Sequence, residues 1–208
     1  MSTGTLPEAG LGSRQRLLAS AAELIEPGSY RSVAVKAICE HAGVNKGSFY
    51  HYFPSKRALV LAMIDEAWEQ MTEQVLVPIL AAPIPIGRRI SRIYDCMYDV
   101  QVAHQQTVGY ATGCLFGSLA AEASTLEEPL RVRLLEVFEQ WVGYMQAALQ
   151  IAVDQGELPK HLDPAATAWI LLAGLQGLLL LAKTADDPEV LGTGGDEFLR
   201  LVFDSVSV

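Results

Sequence analysis

The stretch Val33 to Lys56 leaves the chain few options, because it spells two short helices separated by a tight turn and ends on a helix breaker. Val35, Ile38 and Ala42 recur at helical spacing and turn one apolar stripe inward, and Gly43 stands where a chain leaving a helix needs a left-handed residue. A first helix therefore ends at about residue 42. Asn45 is placed to cap a second helix by accepting backbone N–H bonds, with Lys46, Gly47 and Ser48 in its first turn. Two helices joined by three or four residues including a glycine make a helix-turn-helix unit.

Such a unit lays the first turn of its second helix into the major groove of DNA. Lys46 brings a full positive charge to that turn, and Gly47 has no side chain to keep the backbone from a phosphate or a base edge. Ser48, Tyr50, His51 and Tyr52 add hydroxyl and imidazole groups, while Phe49 and Phe53, four apart, face back into the domain. After the Pro54-Ser55 break, Lys56 is expected to meet phosphate at the start of the next helix.

The run Ala42-Gly-Val-Asn-Lys-Gly-Ser-Phe-Tyr-His-Tyr-Phe-Pro-Ser-Lys56 closely resembles the signature of the TetR family of transcriptional regulators, and the likeness extends less strictly from about Ser13 to about Glu66. The resemblance implies a dimeric, all-helical regulator, usually a repressor, that releases DNA when its C-terminal domain binds a small molecule. On this chain it puts Lys36, Asn45, Lys46, Gly47, Ser48, Tyr50, His51, Tyr52 and Lys56 on the DNA side. Two departures stand out. Pro27-Gly28-Ser29 makes an unusual first connection, and Cys39 occupies a spot where a small residue such as alanine is common.

Charge distribution agrees with a one-ended DNA binder. The chain of 208 residues carries a net charge of −9, yet residues 1–57 hold seven Lys and Arg against four Glu, a balance of +3. The remainder must carry −12, so a basic head sits on an acidic body. A 50% hydrophobic composition suffices for a core. The pattern divides the chain into a flexible lead at 1–12, a helix-turn-helix domain at 13–57 and a helical ligand-binding and dimerisation domain at 58–208. Three scattered cysteines and no basic leader followed by an apolar run favour a reducing cytosol over a secreted disulfide framework.

Helical periodicity continues through the body. Leu17, Leu18, Ala21, Leu24 and Ile25 make a first helix, with Ser13 a possible N-cap and Pro27-Gly28 the stop. Leu59, Met63, Ala67 and Met71 stripe a helix from Lys56 to about Val77, the natural lever between head and body, before Pro78, Pro83, Pro85 and Gly87 interrupt. From about Ile86 to Ala103, Tyr94, Met97, Tyr98 and Gln101 share one side of a helix that His104 extends. Most of that stripe reads as core, but a polar group inside it must find a partner, so Gln101 and His104 are pocket candidates. Tyr94, Tyr98, Phe138, Trp141 and Tyr144 either line one cavity with them or fill the interior.

Gly113-Cys-Leu-Phe-Gly-Ser-Leu-Ala-Ala-Glu122 resembles the glycine-cysteine-leucine segment of one TetR branch, some members of which sense electrophiles or oxidants through a cysteine here. Thr112-Gly113 suggests that Cys114 lies near a helix N-terminus, where dipole and backbone donors favour a thiolate. The rival reading is a small, well-packed residue. Cys39 and Cys96 fall in ordinary helical patterns, and Cys96, His104 and Cys114 do not have the spacing of a zinc motif.

Two long helices close the body, at about Pro129–Gln155 and Pro164–Thr184, with a weaker last one near Glu197–Val206. The stretch Ala165 to Ala182 is apolar apart from Thr167 and Gln176, just long enough for a membrane span. Its Ala and Gly content, and a mid-span Gln with no second span, point instead to a helix covered on both sides, once by its own core and once by a second subunit. Trp169, Gly174, Gly177, Leu178 and Leu181 are the candidate dimer contacts. The sum is an all-α, cytoplasmic, homodimeric repressor of a double-stranded palindromic operator, responsive to a small-molecule effector or to cysteine modification. No membrane, cofactor, metal or catalytic residue is expected. An enzymatic body has no phosphate-cradling glycine loop, zinc protease pattern or Gly-x-Ser-x-Gly element to support it. An activator, or a helical module that docks to another protein, is the remaining alternative.

Overall fold

The computed structural model describes residues 12–26, 29–123, 125 and 127–205. The expected lead-in before Gly12, the Pro27-Gly28 stop and the end of the last helix at Val206 lie outside the described residues. Among the described residues all regular structure is helical: α1 Ser13–Ile25, α2 Val35–His41, α3 Lys46–Tyr52, α4 Lys56–Met71, α5 Val77–Leu80, α6 Ile86–Val108, α7 Leu115–Ala123, α8 Glu128–Asp154, α9 Pro164–Ala185 and α10 Glu189–Ser205. The elements sort into two compact units, Met1–Trp68 with Ser118–Leu134, and Glu69–Gly117 with Leu135–Val208.

In the first unit α1, α2, α3 and the start of α4 enclose Leu17, Leu18, Ala21, Ile38, Phe49, Phe53, Leu59, Val60 and Ile64. Gly43 ends α2 at φ +60, the left-handed conformation that its position demands. The buried stripe of α4 is Leu59, Val60, Met63, Ile64 and Trp68; Ala67 and Met71, expected in it, are only half-buried. Ser118–Leu134 joins this unit through ionic contacts. Arg133 Nε meets Asp65 at 2.6 Å, and Arg57 Nη1 meets Glu127 at 3.0 Å.

The helix that begins at Lys56 does not stop at Pro78. A π-helical segment, Thr72–Leu76, carries it into α5. Proline has no N–H to donate, and its ring crowds the preceding turn, so widening that turn lets the helix pass.

In the second unit α6 buries Ile86, Ile90, Ile93, Tyr94, Met97 and Gln101, and it runs to Val108, past the expected end, until Gly109 caps it at φ +94. The last helix differs most from expectation, starting at Glu189 rather than near Glu197. Gly192, Gly194 and Gly195 weaken that first stretch as an isolated helix. They are bare where neighbours press close: an added Cβ would stand 3.2 Å from Tyr98 at Gly192, 2.8 Å from Leu178 at Gly194 and 3.1 Å from Tyr94 at Gly195. Packing overrides propensity here.

α9 meets α10 closely at Gly174, where an added Cβ would lie 2.3 Å from the Phe198 ring. That ring cannot swing away freely, because it stacks on Tyr94 with centroids 6.4 Å apart. Gly174→Ala should therefore destabilise the protein by about 1–3 kcal/mol, the usual cost of overpacking. Thermal unfolding checks it: the variant's midpoint should fall, while Gly87→Ala, which meets nothing within 4 Å, should leave it level or slightly raised.

Candidate nucleic-acid interface and sensing segment

α3 is held from below and left open above. Asn45 accepts a hydrogen bond from the Ser48 N–H at 2.8 Å, which caps the helix. An added Cβ at Gly47 would stand 3.2 Å from that same Asn45 oxygen, so the glycine leaves room for the cap. Phe49 is fully buried, packed 6.1 Å from Phe53 and edge-on to Tyr50 at 5.1 Å. This anchor turns Tyr50, His51 and Tyr52 outward, Tyr50 with 56% of its surface exposed. Lys36, Asn45, Lys46 and Gly47 are exposed as well, and Ser48 is half-buried.

Lys36, Asn45 and Lys46 share an open groove of about 390 Å³ with Cys39, Glu40, Gly43 and Val44. Lys36 pairs with Glu40 at 3.6 Å, but both are well exposed and such a pair holds little energy against water. Its ammonium is therefore only loosely held. Cys39 is buried, and burial pushes its thiol up against the opposing pull of Lys46.

Lys56, expected on the DNA side, turns its ammonium toward the protein. It donates to the carbonyl oxygens of Tyr30 and Val33, the latter at 2.7 Å, and stands over the Tyr30 ring at 4.4 Å. Burial holds its pKa below the ordinary lysine value, while Glu122 and Glu127 pull it back up.

In the second unit the loop before α7 is pinned by side chains. Buried Gln101 donates to the Gly113 carbonyl at 3.0 Å and accepts from the Gly113 N–H at 2.7 Å. His104 Nδ1 lies 2.5 Å from the Thr112 hydroxyl, and Asp186 accepts from the Ala111 N–H at 2.9 Å. Gly113 itself sits at φ +78 with the Lys183 side chain against it. The amide of Gln101, a pocket candidate, is thus committed to the backbone.

Cys114 immediately precedes α7 and is half-buried, with the Gln176 amide donating to its sulfur at 3.4 Å. Gln176, one of the two polar exceptions in the apolar stretch Ala165 to Ala182, finds its partner here. Cys96 is also half-buried, and burial aided by Asp99 pushes its thiol up. Among the described residues no three His, Cys, Asp or Glu side chains gather as metal ligands.

The aromatic candidates do not share one setting. Tyr94 is buried and donates to the Leu171 carbonyl at 2.6 Å, so burial drives its phenol well above the ordinary range. Met97 and Trp141 are core, Phe138 is half-buried, and Tyr144 is 39% exposed. Tyr98 donates to Glu189 at 2.5 Å, and that bond raises its pKa.

The outer side of α9 is apolar and bare. Trp169 is 46% exposed, Ile170 51%, Leu180 63% and Leu181 56%, with Gly177 exposed among them. α9 is long and apolar enough for a membrane span, at a mean hydropathy of 1.9, but its other side is packed as core through Ala168, Leu171, Leu172, Leu175, Leu179 and Ala182. Gly174 and Leu178, candidate dimer contacts, correct the expectation: both face α10, where Phe198 covers Gly174 and Leu178 reaches Gly194.

Residues 17–63 match the family model described as bacterial regulatory proteins, tetR family, and residues 90–194 match the tetracyclin repressor-like C-terminal domain. The chain belongs to the TetR family. Among curated TetR-family relatives, the transcriptional repressor DhaR of Mycobacterium sp. strain GP1 is 29% identical, over 93% of this chain and 91% of its own. The transcriptional regulator AcuR of Cereibacter sphaeroides is 32% identical, over 89% and 82%. Among solved structures, a regulatory protein TetR from Rhodobacter sphaeroides superposes with a TM-score of 0.80 at 31% identity, covering 90% of this chain and 97% of that one. The reduced form of Escherichia coli NemR superposes with 0.77 at 26% identity, covering 94% and 98%.

The Gln101 clamp generates a direct test. Gln101→Leu keeps the bulk but strands the Gly113 N–H and carbonyl, at a cost of about 2–4 kcal/mol. The urea midpoint should fall accordingly, and an unchanged midpoint would show that water replaces the amide.

Proposed function

We propose that the protein is a cytoplasmic, homodimeric TetR-family repressor that reads a palindromic operator with paired α3 helices. A small molecule, or modification of Cys114, then releases it. The observation that carries the reading is the capped α3, buried at Phe49 and offering Lys46, Gly47, Tyr50, His51 and Tyr52 outward from a basic head. The exposed apolar stripe of α9 supports the dimer, since Trp169, Ile170, Leu180 and Leu181 together lose most by staying in water. Two-fold pairing brings two reading helices to half-sites about one helical turn, roughly 34–36 Å, apart.

Release requires only that the modified or liganded body favour a different spacing of the two heads. The cysteine route is supported by the place of Cys114 at the start of α7 beside the Gln176 amide, and by the likeness to a relative whose structure is specified as a reduced form. A thiolate there faces the partial positive charge of the helix terminus. In the competing small-molecule route Cys114 is a small residue that packs well.

Two measurements test this. Lys46→Ala should weaken operator binding and reduce the slope of log affinity against log salt by about 0.9, the share of one phosphate contact. Unchanged retardation of operator DNA contradicts the assignment of α3. Cys114→Ser should bind operator like the parent yet no longer be released by an electrophile such as N-ethylmaleimide. Equal release of both proteins would transfer the effect to another site and favour the small-molecule route.

A further inference from the structure

Glu122, in the last turn of α7, gives its carboxylate to a single stretch of chain. Its Oε1 accepts from the Ser29 hydroxyl at 2.5 Å and the Arg31 N–H at 2.8 Å, and its Oε2 accepts from the Tyr30 N–H at 2.8 Å. That stretch is the entry to α2. On its other side the Lys56 ammonium takes the carbonyls of Tyr30 and Val33, and the Tyr30 hydroxyl donates to Glu127 at 3.2 Å. Burial alone would raise the Glu122 pKa, but the bonds from Ser29, Arg31 and Tyr30 and the charge of Lys56 outweigh it and hold the carboxyl below its usual range. It is an anion throughout the neutral range.

The entry needs this help. α2 is only two turns long and has no side-chain cap at its N-terminus, while Arg31 and Ser32 are exposed. Short helices are marginal by themselves, so the direction of α2 depends both on the packing of Ile38 and Cys39 and on whatever fixes residues 29–31. Charge-assisted bonds to backbone N–H groups are the strong kind. A carboxylate also repels phosphate, so Glu122 has no attractive contact to make with DNA.

We propose that Glu122 is a positioning residue for operator binding: it fixes the entry of α2, and loosening it lowers operator affinity although no contact with DNA is lost. The inference rests on the operator-binding reading above. Glu122→Gln is nearly isosteric, but it turns an amide N–H toward donors and breaks at least one of the three bonds. Removing a negative charge from a binder of a polyanion should by itself tighten binding, so a loss has the opposite sign to simple electrostatics.

The test uses the full-length protein and a duplex that the parent selects from a randomised library. Glu122→Gln should bind that duplex about tenfold more weakly, with the salt slope of the parent and a cooperative thermal transition, and Ser29→Ala, which removes the bond to Glu122 and the weaker bonds that the hydroxyl accepts from the Arg31 and Ser32 N–H groups, about threefold more weakly. In both variants the Tyr30 and Arg31 amides should exchange hydrogen faster than in the parent. Parental or tighter binding by Glu122→Gln overturns the inference, as does parental amide exchange. Selection of no duplex by the parent overturns instead the reading on which it rests.

Discussion

A helix such as α9 can remain in water only if nearly all its sides are covered. Across Pro164–Ala185 the only charge is Lys183, near the end, and the remaining surface is almost wholly hydrocarbon. Burial is worth roughly 25 cal/mol per Å² of apolar area, so one side is settled by packing within the chain, where Leu171, Leu172, Leu175 and Leu179 are buried. The demands of that packing spread outward. Phe198 fits over Gly174, Tyr94 stacks on Phe198, and Gly192, Gly194 and Gly195 let α10 lie close. The other side is what the proposed dimer covers.

The first unit is organised differently. Its core holds α1, α2, α3 and α4, and at the entry to α2 charges add to the burial of Tyr30: Glu122, Lys56, Glu127 and Arg57 surround it and its neighbours. Ionic and hydrogen-bonded contacts are directional, whereas apolar packing tolerates sliding. A head that must present Lys46 and Tyr50 at a defined angle gains from that directionality. Lys56 shows how a basic residue beside a DNA-reading helix can be structural, since its donors go to carbonyls of its own chain.

Much of this was legible in the residues. Gly43 and Asn45 delimit α2 and α3 because the left-handed turn and the N-cap are local requirements, met by few side chains. The long helices were legible through their periodicity. The start of α10 was not, since three glycines within four residues argue against a helix until Tyr94, Tyr98 and Leu178 are known to need their space. Nor was the passage through Pro78, which depends on the π-helical turn before it. Gln176 announced itself as a polar group in an apolar helix, although its partner Cys114 is 62 positions away. Glu122 gave no signal, because a carboxylate late in a helix reads as solvated until the turn at Ser29 is brought to it. The direction of individual residues on α9 was also beyond periodicity: apolar on all sides, the helix does not reveal that Gly174 faces inward and Gly177 outward.

The account stands or falls on whether the outer side of α9 is covered by a second copy that brings two reading helices to one duplex. Sedimentation equilibrium of the protein at submicromolar concentration, alone and with operator duplexes carrying one or two half-sites, measures this directly. The account predicts a dimer in free solution and a two-half-site complex containing two protomers, with much weaker binding to the single half-site. A monomer in free solution that binds both duplexes equally, one protomer to each half-site, would contradict it.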